Sequence, residues 1–484
     1  MVNVLNNKLS VSATLLDKTE ATDSLNKFLK IYKKNGNKAS KEEIENSLKF
    51  LSELLYDHFK KKVYVLIDEY DIPLNSIMRS NLDNDLSPTN LFIDSLLGAV
   101  LKDNDSYLEK GLMTGISVIA KNSSSSKLNN ITTCRFLDNH IYGKYYGFNN
   151  NEITSLVKTD ELNNVTRYYN GYRIIKQDLQ IYNPWSIMKY IQTGEIVNYW
   201  CQSGPIEHIQ DLFKYTKVRE KFNQLITDNG ISFEFNNTPK IQDIQNLRKL
   251  LSCIVKEIPE SHINLFFSYI FEHGYLTPVH HCQTTGQAKS TFMNYKIPNQ
   301  EIEQEFAQNA IDYYIDSYKL KQDNVDSTVG ALKYIINNYD KLESSAINKL
   351  ISAIQMLCQD LEFTKISNCE DGSHPNESLL HTIVGWIIIQ SNAKKFGSEV
   401  PINSGMQSGK ADIVATYQDL GIIIELKYQK TAEEALKQIE EKCYNNIFLK
   451  LPYIKKILNL GINLNENNEV AIKYQKAYNN NEEI

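Results

Sequence analysis

Residues 63–73 read Val63-Tyr64-Val65-Leu66-Ile67-Asp68-Glu69-Tyr70-Asp71-Ile72-Pro73: an unbroken apolar and aromatic run, two adjacent carboxylates, then a proline. A run without alternation predicts a strand buried on both faces, as in a parallel sheet covered by helices. That requirement makes the surrounding chain α/β. Carboxylates at the carboxyl end of such a strand fall in the crevice where open α/β sheets bind ligands. A core strand ending in a solvated turn spells the same letters, so the stretch alone leaves both readings open.

The flanking pattern agrees with an α/β step. Residues 20–60 predict two helices, the second opened by the capping box Ser40-Lys41-Glu42-Glu43, with Ile44, Leu48, Leu51 and Leu55 on one face. Lys60-Lys61-Lys62 leads into the strand, a helix follows over Leu91–Leu101, and a second apolar strand spans Gly111–Ser117. A short helix is expected from about Asn151, and Asn183-Pro184 reads as an N-cap followed by proline at the first helical position. Residues from about 204 to 340 are mostly helical by periodicity, with a hairpin through Thr277–Tyr295. Helical spacing resumes over Ser327–Leu357, and Asp371-Gly372-Ser373 marks a loop.

At 484 residues the chain exceeds what one hydrophobic core organises. A formal charge of −6 gives no global attraction to nucleic acid or anionic membrane, so any nucleic-acid site must be a local basic patch. Seven scattered cysteines without a Cys-x-x-Cys pair predict reduced thiols in the cytoplasm. The first residues lack a signal-peptide pattern, and the apolar run Ile383–Ile389 is far short of the roughly 20 residues a spanning helix needs, so no membrane partner is expected. His280-His281-Cys282 invites a metal reading, but neighbours on a strand point to opposite faces, which favours turn or edge residues.

Near the C-terminus Ile422-Ile423-Ile424-Glu425-Leu426-Lys427 repeats the opening theme of apolar run and carboxylate, preceded by Asp412 and by a turn at 418–421. Glu425 and Lys427, two apart on a strand, share a face. Asp412 joins them only with an even loop; Gln418 opposite Gly421 puts Asp412 opposite Lys427 and Val414 opposite Glu425. Upstream, Glu377 and His381 lie four apart on a predicted helix, and Ala432–Tyr444 predicts another helix that carries Gln438 and Tyr444. Two converging carboxylates suit magnesium. A buried hairpin closed by an Asp412–Lys427 salt bridge would spell the same residues. Lys427, Lys430, Lys437, Lys442 and Lys450 form a local basic supply, ordinary also for a solvated helix.

Several motifs in order carry a resemblance. Leu66-Ile67-Asp68-Glu69-Tyr70-Asp71-Ile72-Pro73-Leu74 is similar to a Walker B strand. It is followed by Thr114-Gly115-Ile116, Tyr146-Gly147-Phe148, Tyr169-Asn170-Gly171-Tyr172 and Tyr182-Asn183-Pro184-Trp185-Ser186, then by Gly274-Tyr275-Leu276-Thr277 and Ile297-Pro298-Asn299-Gln300-Glu301. This order resembles the bacterial AAA-ATPase-like family, which typically carries a C-terminal PD-(D/E)XK nuclease domain. The resemblance implies an incomplete P-loop NTPase-like parallel sheet over 1–203, a helical connector with a hairpin over 204–345, and a restriction-endonuclease-like α/β/α domain over 346–484. It implies catalytic Asp412, Glu425 and Lys427, with Glu377 and Gln438 beside them. The metal ligands would be Asp412, Glu425 and Glu377, holding Mg or Mn; Asp68, Glu69 and Thr114 would form the nucleotide half-site.

One departure stands out. The family ordinarily begins with a Walker A loop, whereas the Gly-Lys pairs here, Gly143-Lys144 and Gly409-Lys410, lack its spacing and hydroxyl. Relative to the family the chain starts after the first strand and P-loop, which puts ATP binding in doubt. The expected activity is metal-dependent hydrolysis of nucleic acid, DNA before RNA. Two alternatives stay open: a non-catalytic nucleic-acid or protein scaffold, and an ATPase completed by a P-loop on another chain. A homo-oligomer or such a partner chain is the matching assembly.

Overall fold

A computed structural model describes residues 18–32, 39–73, 75, 86–116, 128, 130–134, 142–174, 179–200, 212–227, 230–236, 241–251, 258–279, 292–360, 375–404, 407–467 and 469–479. Ser117, His280-His281-Cys282 and the Asp371-Gly372-Ser373 loop lie outside them. The chain is mixed α/β and folds as two compact units, discontinuous in sequence: residues 1–133 with 236–273, and residues 134–235 with 274–484. Neither border coincides with 203 or 345.

In the first unit, α1 (Lys18–Tyr32), α2 (Lys41–Glu45) and α3 (Ser47–Phe59) precede β1 (Val63–Ile67); α4 (Leu86–Leu101) then leads to β2 (Leu108–Met113). The Ser40–Glu43 capping box is formed, but the helix it opens breaks at Asn46. The break turns Phe50 inward against Phe28 and Ile31, while Ile44, Leu48, Leu51 and Leu55 are only half-buried. The strands β1 and β2 pair in parallel, with Val65 beside Gly111 and Ile67 beside Met113. The second strand thus begins three residues earlier than its apolar letters suggest and ends before Thr114. Burial on both faces does not hold. Val63, Val65 and Ile67 are half-buried, whereas Tyr64 is 65% and Leu66 73% exposed. The cause is period-two geometry in a sheet of two described strands, which has helical cover for one face. Helices at Ile241–Leu251 and Glu260–Glu272 complete the unit.

The second unit begins with α5 (Asn150–Leu156), α6 (Leu162–Tyr169), the hairpin β3 (Tyr172–Ile174) and β4 (Leu179–Ile181), and α7 (Pro184–Thr193). Asn183 caps α7 as expected, accepting from the N–H groups of Trp185 at 3.0 Å and Ser186 at 3.3 Å. After α8 (Thr216–Thr227), strands β5 (Ile231–Glu234), β6 (Thr277–Pro278) and β7 (Phe292–Lys296) form an antiparallel sheet in the order β5-β7-β6, which contains the expected hairpin. Three helices follow, α9 (Gln300–Tyr318), α10 (Gln322–Asn337) and α11 (Ser344–Asp360).

The motifs at 169–172, 182–186 and 297–301 dock on one another. Gly171 has φ +111°, and a Cβ there would lie 2.0 Å from the Pro298 carbonyl oxygen, so only glycine fits. Glu301, fully buried at the start of α9, accepts from Ser186 Oγ at 2.8 Å and from Trp200 N–H at 2.7 Å. Desolvation pushes its carboxyl up to about 7 against those hydrogen bonds.

The last segment runs α12 (Pro375–Gln390), β8 (Lys395–Ser404), β9 (Gln407–Tyr417), β10 (Leu420–Tyr428), α13 (Ala432–Glu441), β11 (Lys456–Leu464) and β12 (Val470–Tyr478). The five strands make one mixed sheet in the order β12-β11-β10-β9-β8, in which β10 and β11 are parallel and the other pairs antiparallel. α12 packs on β8–β10 and α13 on β10–β12. Central β10 has Leu420–Leu426 buried throughout, as a strand covered on both faces must. The helix expected to Tyr444 ends at Glu441; Cys443 takes φ 51° and Tyr444 opens a 3-10 stretch instead. Among the described residues no helix is long and apolar enough to cross a membrane, and Cys134, Cys358 and Cys443 are free thiols.

Candidate active site

The hairpin β9–β10 fixes the candidate site. Its ladder pairs Tyr417 with Leu420 and ends with Ile413 beside Ile424. The turn is therefore Gln418-Asp419, with Gln418 at φ 28°, because apolar Leu420 is drawn into the buried strand. This shifts the expected register by two residues, so that Asp412 comes beside Glu425 rather than Lys427. A shift of two keeps every side chain on its face, and the three residues still converge.

Past Ile413 and Ile424, side chains take over from the ladder. Leu426 N–H donates to Asp412 Oδ2 at 2.7 Å, and Asp412 N–H lies 3.5 Å from Glu425 Oε2. Lys427 Nζ donates to Glu425 Oε1 at 2.7 Å. Glu425 is 0% exposed. Burial first, then the Asp412 charge, hold its carboxyl above the ordinary range, while Lys427 pulls it down. Lys427 thus pairs with Glu425, two residues before it on β10.

Hard oxygen donors fit a magnesium-type ion. Two adjacent carboxylates, one of them desolvated and disfavoured as an anion, favour positive charge beside them. Among the described residues no group of three or more His, Cys, Asp and Glu side chains gathers as a metal cage. Glu377 lies in the first turn of α12, and its side chain is outside the described residues. Gln438 does not reach the carboxylates; its Nε2 donates to Tyr444 Oη at 3.1 Å. Of the basic supply, Lys430 and Lys450 are exposed, while Lys437 pairs with Glu441 at 3.4 Å.

In the first unit, β1 and β2 bring Asp68 and Thr114 together, and the Thr114 hydroxyl donates to Asp68 Oδ1. Glu69, at φ 53°, donates its N–H to the same oxygen at 3.0 Å. Asp68, Glu69 and Thr114 are all exposed. Neighbouring Asp71 is buried and structural, accepting from Ile116 N–H at 3.3 Å and Asn75 Nδ2 at 2.9 Å.

Residues 3–125 match the family model described as predicted AAA-ATPase, AAA-ATPase-like. A 159-residue stretch is also 26% identical to the "Uncharacterized protein in vnfD 5'region" of Azotobacter chroococcum mcd 1. That match covers 31% of this chain and 29% of the relative, so the similarity spans under a third of the relative's length. No solved structure matches the chain. The AAA-ATPase-like similarity thus falls on the segment that contains β1, β2, Asp68 and Thr114.

Three residues not expected at a site have structural places here. His381 and Tyr444 hold the β9 backbone, and Glu301 ties its own motif to Ser186 and to Trp200. His381 had one signal, its helical spacing from Glu377; Tyr444, expected on the helix with Gln438, owes its place against β9 to the early end of α13.

Proposed function

We propose that the C-terminal segment of the second unit hydrolyses phosphodiester bonds in nucleic acid, DNA before RNA, with a divalent metal held by Asp412 and Glu425. The observation that carries this reading is the convergence of Asp412, Glu425 and Lys427 where the β9–β10 ladder ends. The order of α12, β8–β10, α13 and β11 supports it. A bound Mg or Mn ion would supply positive charge and a more acidic water. Within the chain, Leu426 N–H fixes the Asp412 carboxylate. Lys427 holds Glu425 and presents a point charge to phosphate. Ile423, fully buried on the face that carries Glu425, keeps the floor of the site dry, which strengthens each of these interactions. Purified full chain should nick supercoiled plasmid with Mg or Mn, and Asp412→Asn and Lys427→Ala should abolish nicking. Undiminished cleavage by both variants would sink the assignment.

A second reading concerns the first unit and rests on the Asp68–Thr114 contact. In an AAA-ATPase-like segment these residues suit a hydrated magnesium and a phosphate-sensing hydroxyl. The 484 residues spell no Gly-x-x-x-x-Gly-Lys-Ser/Thr, so a phosphate cradle must come from another polypeptide segment. Calorimetric titration of the chain with Mg-ATP tests this: no binding by the chain alone, and binding once a P-loop-bearing partner is added, is the expected pair of results. Binding by the chain alone overturns it.

A further inference from the structure

Two β9 carbonyls that bracket Ala411 are held by side chains from outside the hairpin. His381 of α12 brings Nε2 to 2.9 Å from the Asp412 carbonyl oxygen. A carbonyl only accepts, so Nε2 carries the proton there, and Ser398 Oγ lies 3.2 Å from the same nitrogen. On the other side of Ala411, the Tyr444 hydroxyl donates to the Lys410 carbonyl at 2.7 Å and accepts from Gln438 Nε2 at 3.1 Å. Tyr444 is buried and packs closely on residue 409, where a Cβ would sit 3.1 Å from its ring and its hydroxyl.

We infer that His381 and Tyr444 are positioning residues that set Asp412 against Glu425, an inference that rests on the metal-dependent reading above. Asp412 meets Glu425 and Leu426 where the β9–β10 ladder has ended, so at this point β9 is held in the sheet from one edge, by β8 through Val400–Ala411 and Pro401–Lys410. One of its oxygens is already bound to Leu426 N–H. The aim of the carboxylate as a whole follows the rotation of the 410–412 backbone. His381 and Tyr444, on different elements, each restrain one carbonyl of that backbone. Gln438 gains a role by the same route: it orients the Tyr444 hydroxyl instead of touching substrate. Groups that orient metal ligands typically change metal affinity by about 10–100-fold when removed.

The test uses the full chain, with Mn²⁺ binding followed by electron paramagnetic resonance without nucleic acid, and plasmid nicking followed against Mn²⁺ concentration. Tyr444→Phe removes one hydroxyl and leaves the ring in place; His381→Ala removes the other clamp. Each should raise the Mn²⁺ needed for half-saturation by roughly 10-fold, with a smaller change in the nicking rate at saturating metal. His381→Gln, which keeps a donor near the position of Nε2, should recover most of the affinity. Thermal melts accompany each variant, and Tyr444→Phe decides the matter should His381→Ala not fold. Wild-type Mn²⁺ affinity in Tyr444→Phe, or His381→Gln as defective as His381→Ala, overturns the positioning role and leaves the nuclease reading intact. A wild-type chain that neither binds Mn²⁺ nor nicks plasmid overturns both.

Discussion

The molecule spells an apolar run ending in a carboxylate twice and treats the two copies differently. Val63–Ile67 before Asp68 lies in a parallel sheet of two described strands, with Tyr64 and Leu66 largely exposed. Ile422–Ile424 before Glu425 lies at the centre of five strands and is buried throughout. The letters promise burial equally, but neighbouring strands and helices deliver it. The consequence for chemistry is direct: Asp68 meets water and a hydroxyl, whereas Glu425 meets a dry floor, a second carboxylate and one lysine.

The largest effect expected from this difference is on cleavage. Replacing Asp412 by Asn, or Lys427 by Ala, should lower the nicking rate by about 10²–10³-fold or more, the range seen when one preorganised electrostatic partner is lost. Cleavage that survives these changes but disappears on altering the first sheet would reverse the ranking of the two sites.

Stability should follow the same contrast. Ile423→Ala removes a fully buried side chain of β10 and should cost about 2–5 kcal/mol. Leu66→Ala, on the exposed face of β1, should stay within about 0.5 kcal/mol. All three tryptophans, Trp185, Trp200 and Trp386, belong to the second unit, so denaturant unfolding followed by tryptophan fluorescence isolates the Ile423 effect. Hydrogen exchange of β1 and β2 amides follows the Leu66 effect. A costly Leu66→Ala would mean that the open face of the first sheet is covered in solution.

These contrasts also mark how far the sequence could be read. Strand β1, the Asn183 cap, the β6–β7 hairpin and the alternation that gathers Asp412, Glu425 and Lys427 follow from short-range pattern, and all are present. The two-residue register shift was not legible, because it turns on whether Leu420 belongs to the turn or to the strand, and only the surrounding core draws it in. The break at Asn46 and the early end of α13 likewise depend on where Phe50 and Tyr444 find their partners. The docking of Gly171 on Pro298 and of Ser186 on Glu301 joins residues more than a hundred positions apart, which no local period encodes.

Glu301 supplies a pH test of comparable size. Its carboxyl is raised to about 7 in the folded state, so its contribution to stability is fully present below its unfolded value near 4.5 and is lost as pH rises through about 7. A shift of that size is worth at most about 3 kcal/mol above pH 7. Glu301→Gln keeps an oxygen for Trp200 N–H and offers Ser186 a donor, and it removes the buried charge. Fluorescence-monitored unfolding at pH 5 and pH 8 should therefore show a smaller loss at pH 8 in the variant than in the wild type. An equal loss in both would move the pH dependence to other desolvated acids, of which half-buried Glu303, raised to about 7 by desolvation, is the first candidate.

The smallest effect tests the surface around the second carboxylate site. Lys430 is exposed just beyond β10, and its N–H is anchored by Asn463 Oδ1 at 3.0 Å, so its backbone is fixed while its ammonium group is available to phosphate. Such a lysine contacts phosphate without reading sequence. Lys430→Ala should weaken binding of a DNA duplex uniformly across sequences and reduce the slope of log affinity against log salt by about 1. Lys437, already paired with Glu441 on an exposed helix face, should give a smaller change, since its charge is partly met within the chain. Equal effects at the two lysines would argue for diffuse attraction along α13 instead of a path leading to Lys427. A loss at Lys430 alone would place the phosphate track at the carboxyl end of β10, beside Glu425.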